Sequence, residues 1–393
     1  MLRAIVGLGS SAGGLDALTK FFSALPSTSG MAFVLVQHLD PTHGSFMAEL
    51  VGRCTGMPVV QVQADTPVEA DHVYCIPPAR YLSISERTLR LTAPVGTGSI
   101  RMPIDFFLRA LAADVQEHAI GIVVSGTGSD GTIGLRAIKA AGGLAMAQDP
   151  ATAQHDGMPR SAIAGGAVDH VASPEQMPRI LFEYLRHPYA RGAGPSSPPA
   201  EITHDHLRDV LALLRERTHF DFRSYKRGML GRRIGRRMGL KHVEDVADYV
   251  ELLKAQPGEA KLLFEDLLIS VTNFFRDPEV WRDLQERVVR PLVERKEART
   301  PLRVWVPGCA TGEEAYSIAM LLIEELQAGR KGVPLQVFAS DVDPGALDFA
   351  RVGLYPESVV RDVSPERRRR FFLEEDHSAR VSKELRESVI FAL

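Results

Sequence analysis

Three residues of complementary chemistry each follow a short apolar run of the chain: Ser11, His38 and Asp130. Ser11 lies in Gly9-Ser-Ser-Ala-Gly13, a G-x-S-x-G pattern whose small residues permit a tight turn that exposes a serine hydroxyl. An imidazole such as that of His38 suits a general base at neutral pH, and a carboxylate such as Asp130 can orient it. This combination indicates nucleophilic attack on an ester or amide carbonyl.

Such a site needs a scaffold that brings three strand ends together. Three short β-rich runs are each followed by turn residues and an amphipathic segment: 4–8, 32–36 and 119–124. This alternation predicts a doubly wound parallel α/β sheet over residues 1–186. Because ligands bind outside the carboxyl ends of strands in such sheets, we expect the three side chains to lie at one edge.

The same residues admit other interpretations. The segment Gly7-Leu-Gly-Ser-Ser-Ala-Gly13 also matches the dinucleotide fingerprint, although His38 stands where that fingerprint needs an acidic residue. A purely structural interpretation makes Ser11 a helix cap, His38 a loop histidine and Asp130 part of a turn. Two further histidines are alternatives for the base: His155 and His170.

Residues 4–185 resemble the catalytic domain of the chemotaxis protein-glutamate methylesterases. The motifs that carry the resemblance are Gly9-Ser-Ser-Ala-Gly-Gly14, Val36-Gln-His-Leu-Asp-Pro41 and Ser125-Gly-Thr-Gly-Ser-Asp-Gly131. The resemblance implies hydrolysis of glutamyl methyl esters on chemoreceptors, with receptor glutamine deamidation as a second activity. It makes Ser11 the nucleophile, His38 the base and Asp130 the orienting group, without a cofactor. Members often carry a phosphorylatable receiver domain, which this sequence lacks, and Thr127 replaces a methionine of the oxyanion loop.

Length and composition limit the number of domains, the partners and the location to be expected. With 393 residues, several domains are expected, and the formal charge of −3 gives no overall attraction to nucleic acid or an anionic membrane. Three separated cysteines predict neither a disulfide framework nor a structural metal site, and no apolar run is long enough to span a bilayer. We therefore expect a cytoplasmic protein without direct membrane insertion. The predicted domains are 1–186, a Pro/Gly/Ser linker at 187–201, a helical domain at 202–297 and a second α/β domain at 298–393.

The second α/β domain contains a candidate cofactor loop. A β-rich run at 302–307 precedes Gly308-Cys-Ala-Thr-Gly312, and Asp341 ends the next run, where a carboxylate can bind ribose hydroxyls. The loop has no P-loop lysine and instead offers Glu313 and Glu314, which would repel phosphate but suit a sulfonium or amine. S-adenosylmethionine fits this pattern better than ATP or NAD, although Glu313 is better explained by the helix dipole.

The helical domain contains a basic segment. Arginine pairs lie beside an apolar seam with helical spacing: Arg232, Arg233, Arg236 and Arg237. A solvated face, nucleic-acid phosphate and an acidic protein surface are the alternatives. No recognised nucleic-acid motif accompanies the cluster, so nucleic acid is not a predicted partner.

Residues 203–393 resemble a chemotaxis receptor methyltransferase, a helical domain followed by a class I S-adenosylmethionine domain. The motifs are Thr272-Asn-Phe-Phe-Arg-Asp-Pro278, Gly308-Cys-Ala-Thr-Gly-Glu-Glu314, Tyr316-Ser-Ile-Ala-Met320 and Ala339-Ser-Asp-Val-Asp343. The resemblance implies a set of cofactor contacts: Thr272, Arg276, Glu314, Asp341 and Ser270. It further implies receptor docking by the four arginines and an inserted β subdomain at 355–386. We expect the domain to be truncated at its C-terminus.

Together the two resemblances predict a bifunctional chemosensory adaptation protein. Its expected partner is the cytoplasmic domain of methyl-accepting chemoreceptors, with a sensory histidine kinase or response regulator as further candidates. Two alternatives remain at this point. One is a non-catalytic receptor-binding scaffold, and the other is a nicotinamide-dependent oxidoreductase.

Overall fold

The computed structural model describes residues 2–37, 47–78, 80–92, 102–166, 168–191, 202–269, 272–296, 300–329, 332–360, 363–375 and 378–393. They divide into two units, Met1–Ile269 and Ser270–Leu393. The first unit contains both the predicted α/β domain and four helices of the predicted helical domain.

The strands of the first unit are β1 Ala4–Ser10, β2 Met31–Gln37, β3 Val59–Gln61, β4 Thr66–Pro67, β5 Val73–Cys75, β6 Tyr81–Ser85, β7 Thr88–Thr92, β8 Ala119–Val123, β9 Leu144–Gln148 and β10 His170–Ala172. Its helices are α1 Gly14–Ser23, α2 Met47–Gly52, α3 Pro103–Val115, α4 Thr132–Ala141, α5 Gly157–Ala164, α6 Met177–Arg186, α7 Pro188–Arg191, α8 His204–Thr218, α9 Arg227–Lys241, α10 Val246–Ala255 and α11 Pro257–Leu268.

Seven strands form a sheet in the order β10-β9-β8-β1-β2-β5-β3, and every neighbouring pair in it is parallel. Successive residues of β1 face opposite sides, so that Val6 and Leu8 pack in one core and Ile5 in the other. Helices cover both sides, because Phe21 of α1 joins the first core and Phe107 of α3 joins the second. The predicted doubly wound parallel sheet is confirmed.

The glycines of β1 serve helix packing. A Cβ atom on Gly7 would lie 2.6 Å from Leu108, and one on Gly9 would lie 2.3 Å from Ile104. Both contacts are far inside van der Waals distance, so α3 approaches the strand only because these residues lack side chains. The first two glycines of the dinucleotide-like pattern therefore have a structural explanation that needs no pyrophosphate.

Helices α8 to α11 enclose a separate apolar core that includes Leu214, Ile234, Tyr249 and Leu263. Thr203 caps α8 by accepting a hydrogen bond from the His206 N–H group, at 3.3 Å. The start of the predicted linker at 187–201 is not an irregular segment, because residues 188–191 form the short helix α7. Residues 192–201 lie outside the described part of the chain.

The strands of the second unit are β11 Leu302–Pro307, β12 Leu335–Ser340, β13 Leu354–Pro356, β14 Phe372–Glu375, β15 Ser378–Val381 and β16 Val389–Ala392. Its helices are α12 Pro278–Leu284, α13 Arg290–Arg295, α14 Glu313–Ala328, α15 Pro344–Val352, α16 Glu357–Val360, α17 Pro365–Phe371 and α18 Lys383–Glu387. A parallel sheet has the order β11-β12-β16, and an antiparallel sheet of order β13-β15-β14 lies within residues 354–381.

Residues 272–296 belong to this second unit, although the sequence placed them in the helical domain. The Phe275 N–H group donates to Ser317 Oγ of α14 at 3.1 Å, and Gln285 and Arg290 both bond Glu325 of the same helix. Val289 and Val293 are buried, so this segment has its apolar contacts here. The boundary therefore falls after residue 269, earlier than the predicted 297.

Candidate functional site

Ser11 lies in the tight turn between β1 and α1, at the carboxyl edge of the parallel sheet. Its N–H group donates to the Ser125 carbonyl at 3.0 Å, and its own carbonyl accepts from the Gly14 N–H group at 3.0 Å. Gly13 has a φ of +72°, and a Cβ atom there would lie 2.7 Å from Ser125 Oγ. The turn therefore requires glycine at position 13, and it leaves the Ser11 side chain half-buried.

Asp130 lies in the loop after β8, which is the strand beside β1. Its carboxylate accepts the Ile104 N–H group at 3.0 Å and the Asp105 N–H group at 2.8 Å. Both donors belong to the first turn of α3, whose N-cap residue Met102 has no side-chain cap of its own. Asp130 thus caps a helix from a distant loop, which fixes its carboxylate at the strand edge.

Ser125 connects several segments at this edge by hydrogen bonds, a role that its place in a sequence motif does not reveal. Its Oγ lies 2.9 Å from the Ala12 carbonyl oxygen and accepts the His155 N–H group at 3.0 Å. Its N–H group donates to Gln148 Oε1 at 2.8 Å. Ser125 therefore joins the Ser11 turn to the loops that follow β8 and β9.

Of the three candidate bases, two lie among the described residues. His38 follows the last residue of β2 directly in sequence but lies outside the described residues. His155 is exposed, and its backbone bonds Ser125 beside the Ser11 turn. His170 begins β10, so it lies at the amino edge of the sheet, away from Ser11. The structure thus separates His170 from the candidate site.

A second candidate site surrounds the loop between β11 and α14. This loop takes three left-handed conformations, with φ of +68° at Gly308, +45° at Ala310 and +93° at Gly312. The Ala310 N–H group donates to Asp341 Oδ2 at 2.7 Å, and the Asp343 N–H group donates to Asp341 Oδ1 at 2.9 Å. Asp341 therefore holds the loop in place from the end of β12.

Beside this loop lies a cavity of about 460 Å³, within the size range of small-molecule sites. Thr272, Arg276 and Glu314 line it together with Gly308 and the neighbouring loop residues. Three of the predicted cofactor residues are thus brought to one cavity, and Asp341 borders it through Ala310. Ser270 lies outside the described residues.

Two residues next to this cavity are not among the predicted cofactor contacts: Cys309 and Glu313. The Glu313 side chain is fully buried in the first turn of α14 and accepts the Thr311 hydroxyl at 2.6 Å. Burial, with a smaller contribution from the charge of Asp341, raises the pKa of the Cys309 thiol to about 12. The thiol is therefore neutral at physiological pH and a poor nucleophile.

The predicted docking surface requires correction. Arg232 is exposed, but Arg233, Arg236 and Arg237 are 9%, 0% and 6% exposed. Arg233 donates to the carbonyls of Lys139 and Ala140, at 2.7 Å each, in the last turn of α4.

Acidic groups neutralise the other two buried arginines. Arg236 donates to Asp266 at 2.5 Å, to Asp169, and to the Gly143 carbonyl at 3.0 Å. Arg237 donates to both oxygens of Glu259, at 2.9 and 2.6 Å. The arginines therefore join α9 to the α/β domain and to α11, and in this arrangement these three present no basic surface to a receptor.

Burial and charge act in opposite directions on this network. Burial alone would raise the pKa of Asp169, but Arg236 and Lys139 outweigh it and lower that pKa. Likewise, burial would lower the pKa of Arg236, while Asp169 and Asp266 raise it. Both groups are therefore charged at neutral pH, which is the condition under which a buried ion pair is tolerated.

Within the described residues, no helix is long and apolar enough to cross a membrane. No group of three or more potential metal ligands occurs in that part of the chain either.

Three family models match the chain. The CheB methylesterase model covers residues 6–181, the all-alpha domain of CheR methyltransferase covers 205–268, and the SAM binding domain of CheR methyltransferase covers 270–393. These ranges contain, respectively, the Ser11 and Asp130 edge, the arginine helix and the cavity beside Glu314.

Individual relatives agree with the models. An uncharacterized 104.1 kDa protein of Rhodobacter capsulatus is 38% identical over 88% of this chain, which spans only 38% of that protein. Chemotaxis protein methyltransferase 2 of Pseudomonas aeruginosa is 32% identical, over 50% of this chain and 72% of its own length. A putative protein-glutamate methylesterase/protein-glutamine glutaminase of Leptospira interrogans is 30% identical, over 44% of this chain and 91% of its own length. The chain therefore belongs to the CheB methylesterase and CheR methyltransferase families, which it joins in one polypeptide.

Proposed function

We propose that the first unit hydrolyses glutamyl methyl esters of chemoreceptors and deamidates receptor glutamines. Ser11 is the nucleophile, His38 the general base and Asp130 the group that orients the base. The observation that carries this proposal is the placement of Ser11 and Asp130 on the carboxyl ends of neighbouring strands, joined through Ser125. The names of methylesterase/glutaminase relatives support the substrate class.

In this mechanism His38 removes the proton from Ser11 Oγ as the oxygen attacks the ester carbonyl carbon. The tetrahedral oxyanion collapses, the bond to the methoxy group breaks, and the imidazolium returns its proton to release methanol. Water then attacks the acyl-serine by the same proton transfers and frees the glutamate. The Ala12 N–H group donates to no acceptor within the described residues, so it is available to the oxyanion beside the Ser11 turn.

The test is methanol release from a methyl-esterified receptor cytoplasmic fragment. We expect release by the parent chain and its loss in Ser11→Ala. The matched control is Ser10→Ala, which removes the adjacent, buried serine and should leave release in place. Equal loss in both variants would refute Ser11 as the nucleophile. Absence of release from a correctly folded parent would favour the receptor-binding scaffold instead.

We propose further that the second unit binds S-adenosylmethionine and serves the methylation of receptor glutamates. The described residues fit this cofactor, because the cavity offers Arg276 for a carboxylate and Glu314 for a cationic group. Asp341 retains acceptor capacity for ribose hydroxyls, Thr272 adds a hydroxyl, and Ser270 completes the proposed set. When bound, the cofactor supplies an activated methyl group, and the protein residues position it against the receptor carboxylate.

Calorimetric titration of the full chain with S-adenosylmethionine tests this binding site. We expect Glu314→Gln to weaken binding by about tenfold, since one charge-assisted contact contributes about 1.5 kcal/mol. Glu384→Gln, at an exposed position of α18, is the control and should bind as the parent does. Equal affinity of both variants would refute the role of Glu314.

The same proposal assigns the partners. The cytoplasmic domain of a methyl-accepting chemoreceptor is the substrate of both halves, and a sensory histidine kinase or a response regulator is a further partner. A cytoplasmic location follows from that substrate. The oxyanion and cofactor sites use different units of the chain, so opposing reactions on one receptor would be held together by the shared polypeptide.

A further inference from the structure

Two helices of the α/β domain cap each other across the candidate esterase edge. Asp130, in the loop before α4, accepts the first-turn N–H groups of α3. Asp105, in the first turn of α3, accepts the Gly134 N–H group of α4 at 2.7 Å through Oδ1. Each helix thus supplies a carboxyl group that satisfies the N-terminus of the other.

The two carboxyl groups are buried together. Asp130 is 3% exposed and Asp105 is 5% exposed, and the Asp105 N–H group bonds Asp130 directly. Asp105 Oδ2 is buried with no hydrogen-bond partner. An ionised oxygen in that position would have lost its hydration without any replacement, which is far more costly than burying a neutral acid.

The charged groups that face Asp105 reinforce this asymmetry. Asp130 is the charged group with the larger effect on Asp105, while the exposed Arg109 of the same helix has a smaller and opposite effect. Both carboxyl groups are buried, so the charge of one disfavours the charge of the other; Asp130 accepts the Ile104 and Asp105 N–H groups, while Asp105 accepts the Gly134 N–H group through Oδ1 and gains a smaller stabilising contribution from the Gly131 N–H group. Burial first, and the charge of Asp130 second, raise the pKa of Asp105 to about 8.

We propose that Asp105 is a positioning residue of the esterase: as a neutral carboxylic acid at physiological pH, it fixes α4 against α3 and so holds Asp130 in place. This inference rests on the proposed esterase function. Its ionisation in mildly alkaline solution places a second negative charge beside Asp130 and loosens the junction. Esterase activity is therefore predicted to fall above pH about 8 for a reason that lies outside the triad itself.

The test compares Asp105→Asn with Asp105→Ala in the full chain, by methanol release between pH 6 and 10. Asparagine keeps an acceptor for the Gly134 N–H group and cannot ionise, so we expect kcat within about threefold of the parent at pH 7 and no alkaline decline. Alanine removes the acceptor, and we expect kcat to fall by about a hundredfold with little change in KM. An asparagine variant as impaired as the alanine variant at pH 7, or one that keeps the alkaline decline, would overturn the proposal.

A second measurement does not depend on activity. Carboxyl-carbon NMR of the full chain, labelled at aspartate and assigned by comparison with Asp105→Asn, should show this group titrating near pH 8. A titration near pH 4 would overturn the proposal even if the esterase is active. If the chain releases no methanol, the NMR titration still decides whether Asp105 is neutral, and thus separates this inference from the proposed function.

Discussion

Replacement of Arg236 by methionine tests how the arginine helix is attached to the α/β domain. The guanidinium is fully buried and bonds Asp169, Asp266 and the Gly143 carbonyl. Methionine has similar length and no charge, so the variant leaves both carboxylates buried without their main partner. Lys139 remains, with Nζ 3.7 Å from Asp169 and 3.5 Å from Asp266.

The magnitude follows from the surroundings that remain. Removing one member of a buried ion pair costs about 3–5 kcal/mol, because the other member stays desolvated and uncompensated. Lys139 lies within ion-pair distance of both carboxylates, so we expect the lower end, about 3 kcal/mol. That corresponds to more than a hundredfold increase in the equilibrium for local opening of α9 from the α/β domain, at about 1.4 kcal/mol per tenfold.

Hydrogen exchange followed by mass spectrometry is the appropriate assay. Both tryptophans, Trp281 and Trp305, lie in the second unit, so their fluorescence does not report on this contact. Peptides that cover α9 and the end of α4 should exchange at least tenfold faster in Arg236→Met. The matched control is Arg232→Met on the same helix, where the side chain is exposed and a small effect is expected. Equal protection in the two variants would refute the argument that buried charge pairing holds the domains together.

Three further predictions concern other parts of the chain. Gly13→Ala should reduce methanol release at least tenfold. The φ of +72° at this position costs a residue with a side chain about 1–2 kcal/mol, and the added carbon would displace the Ser11 turn. Release at the parent rate would contradict this prediction. Iodoacetamide at pH 8 should modify half-buried Cys54 before Cys75 and Cys309, because burial raises the pKa values of those two thiols to about 12. Peptide mass mapping that finds equal labelling of the three cysteines would contradict this prediction. Because the pKa of Asp105 is raised from its ordinary 3.8 to about 8, its protonation stabilises the fold fully below pH about 4, and this stabilisation is lost progressively as pH rises to about 8. Exchange protection of α3 and α4 should therefore be most similar in parent and Asp105→Asn at pH about 4 and increasingly favour the variant up to pH about 9.

The features that could be predicted from sequence are those that depend on residue patterns within short segments of the chain. Alternation of apolar runs with amphipathic segments specified the parallel sheet, and the rule that sites lie at carboxyl strand ends placed Ser11 and Asp130 at one edge. The glycines of β1 were ambiguous for a physical reason. A glycine needed for close helix approach has the same sequence signature as one needed for close ligand approach, and only the position of Ile104 beside Gly9 distinguishes them.

The arginine helix shows where local pattern fails. Charged positions beside an apolar seam look alike whether the charges face water or buried acids from distant segments. Arg236 pairs with Asp169, which is 67 residues away, and with Asp266, 30 residues away, and no spacing rule connects them. Asp105 was missed for the same reason, since its importance depends on contact with Asp130, 25 residues later in the chain.

Helix α4 connects these two findings. Its N-terminus is held by Asp105 beside Asp130, and its C-terminal carbonyls are held by Arg233, about 15 Å away along a helix of ten residues. The helical domain thus attaches at the amino edge of the sheet, where Gly143 and Asp169 precede β9 and β10, while Ser11 lies at the opposite edge. Because the two ends of α4 are fixed by separate contacts, loosening the arginine network should increase exchange in α9 without changing the reactivity of Ser11. The contacts that attach the helical domain therefore lie at the edge of the sheet opposite Ser11.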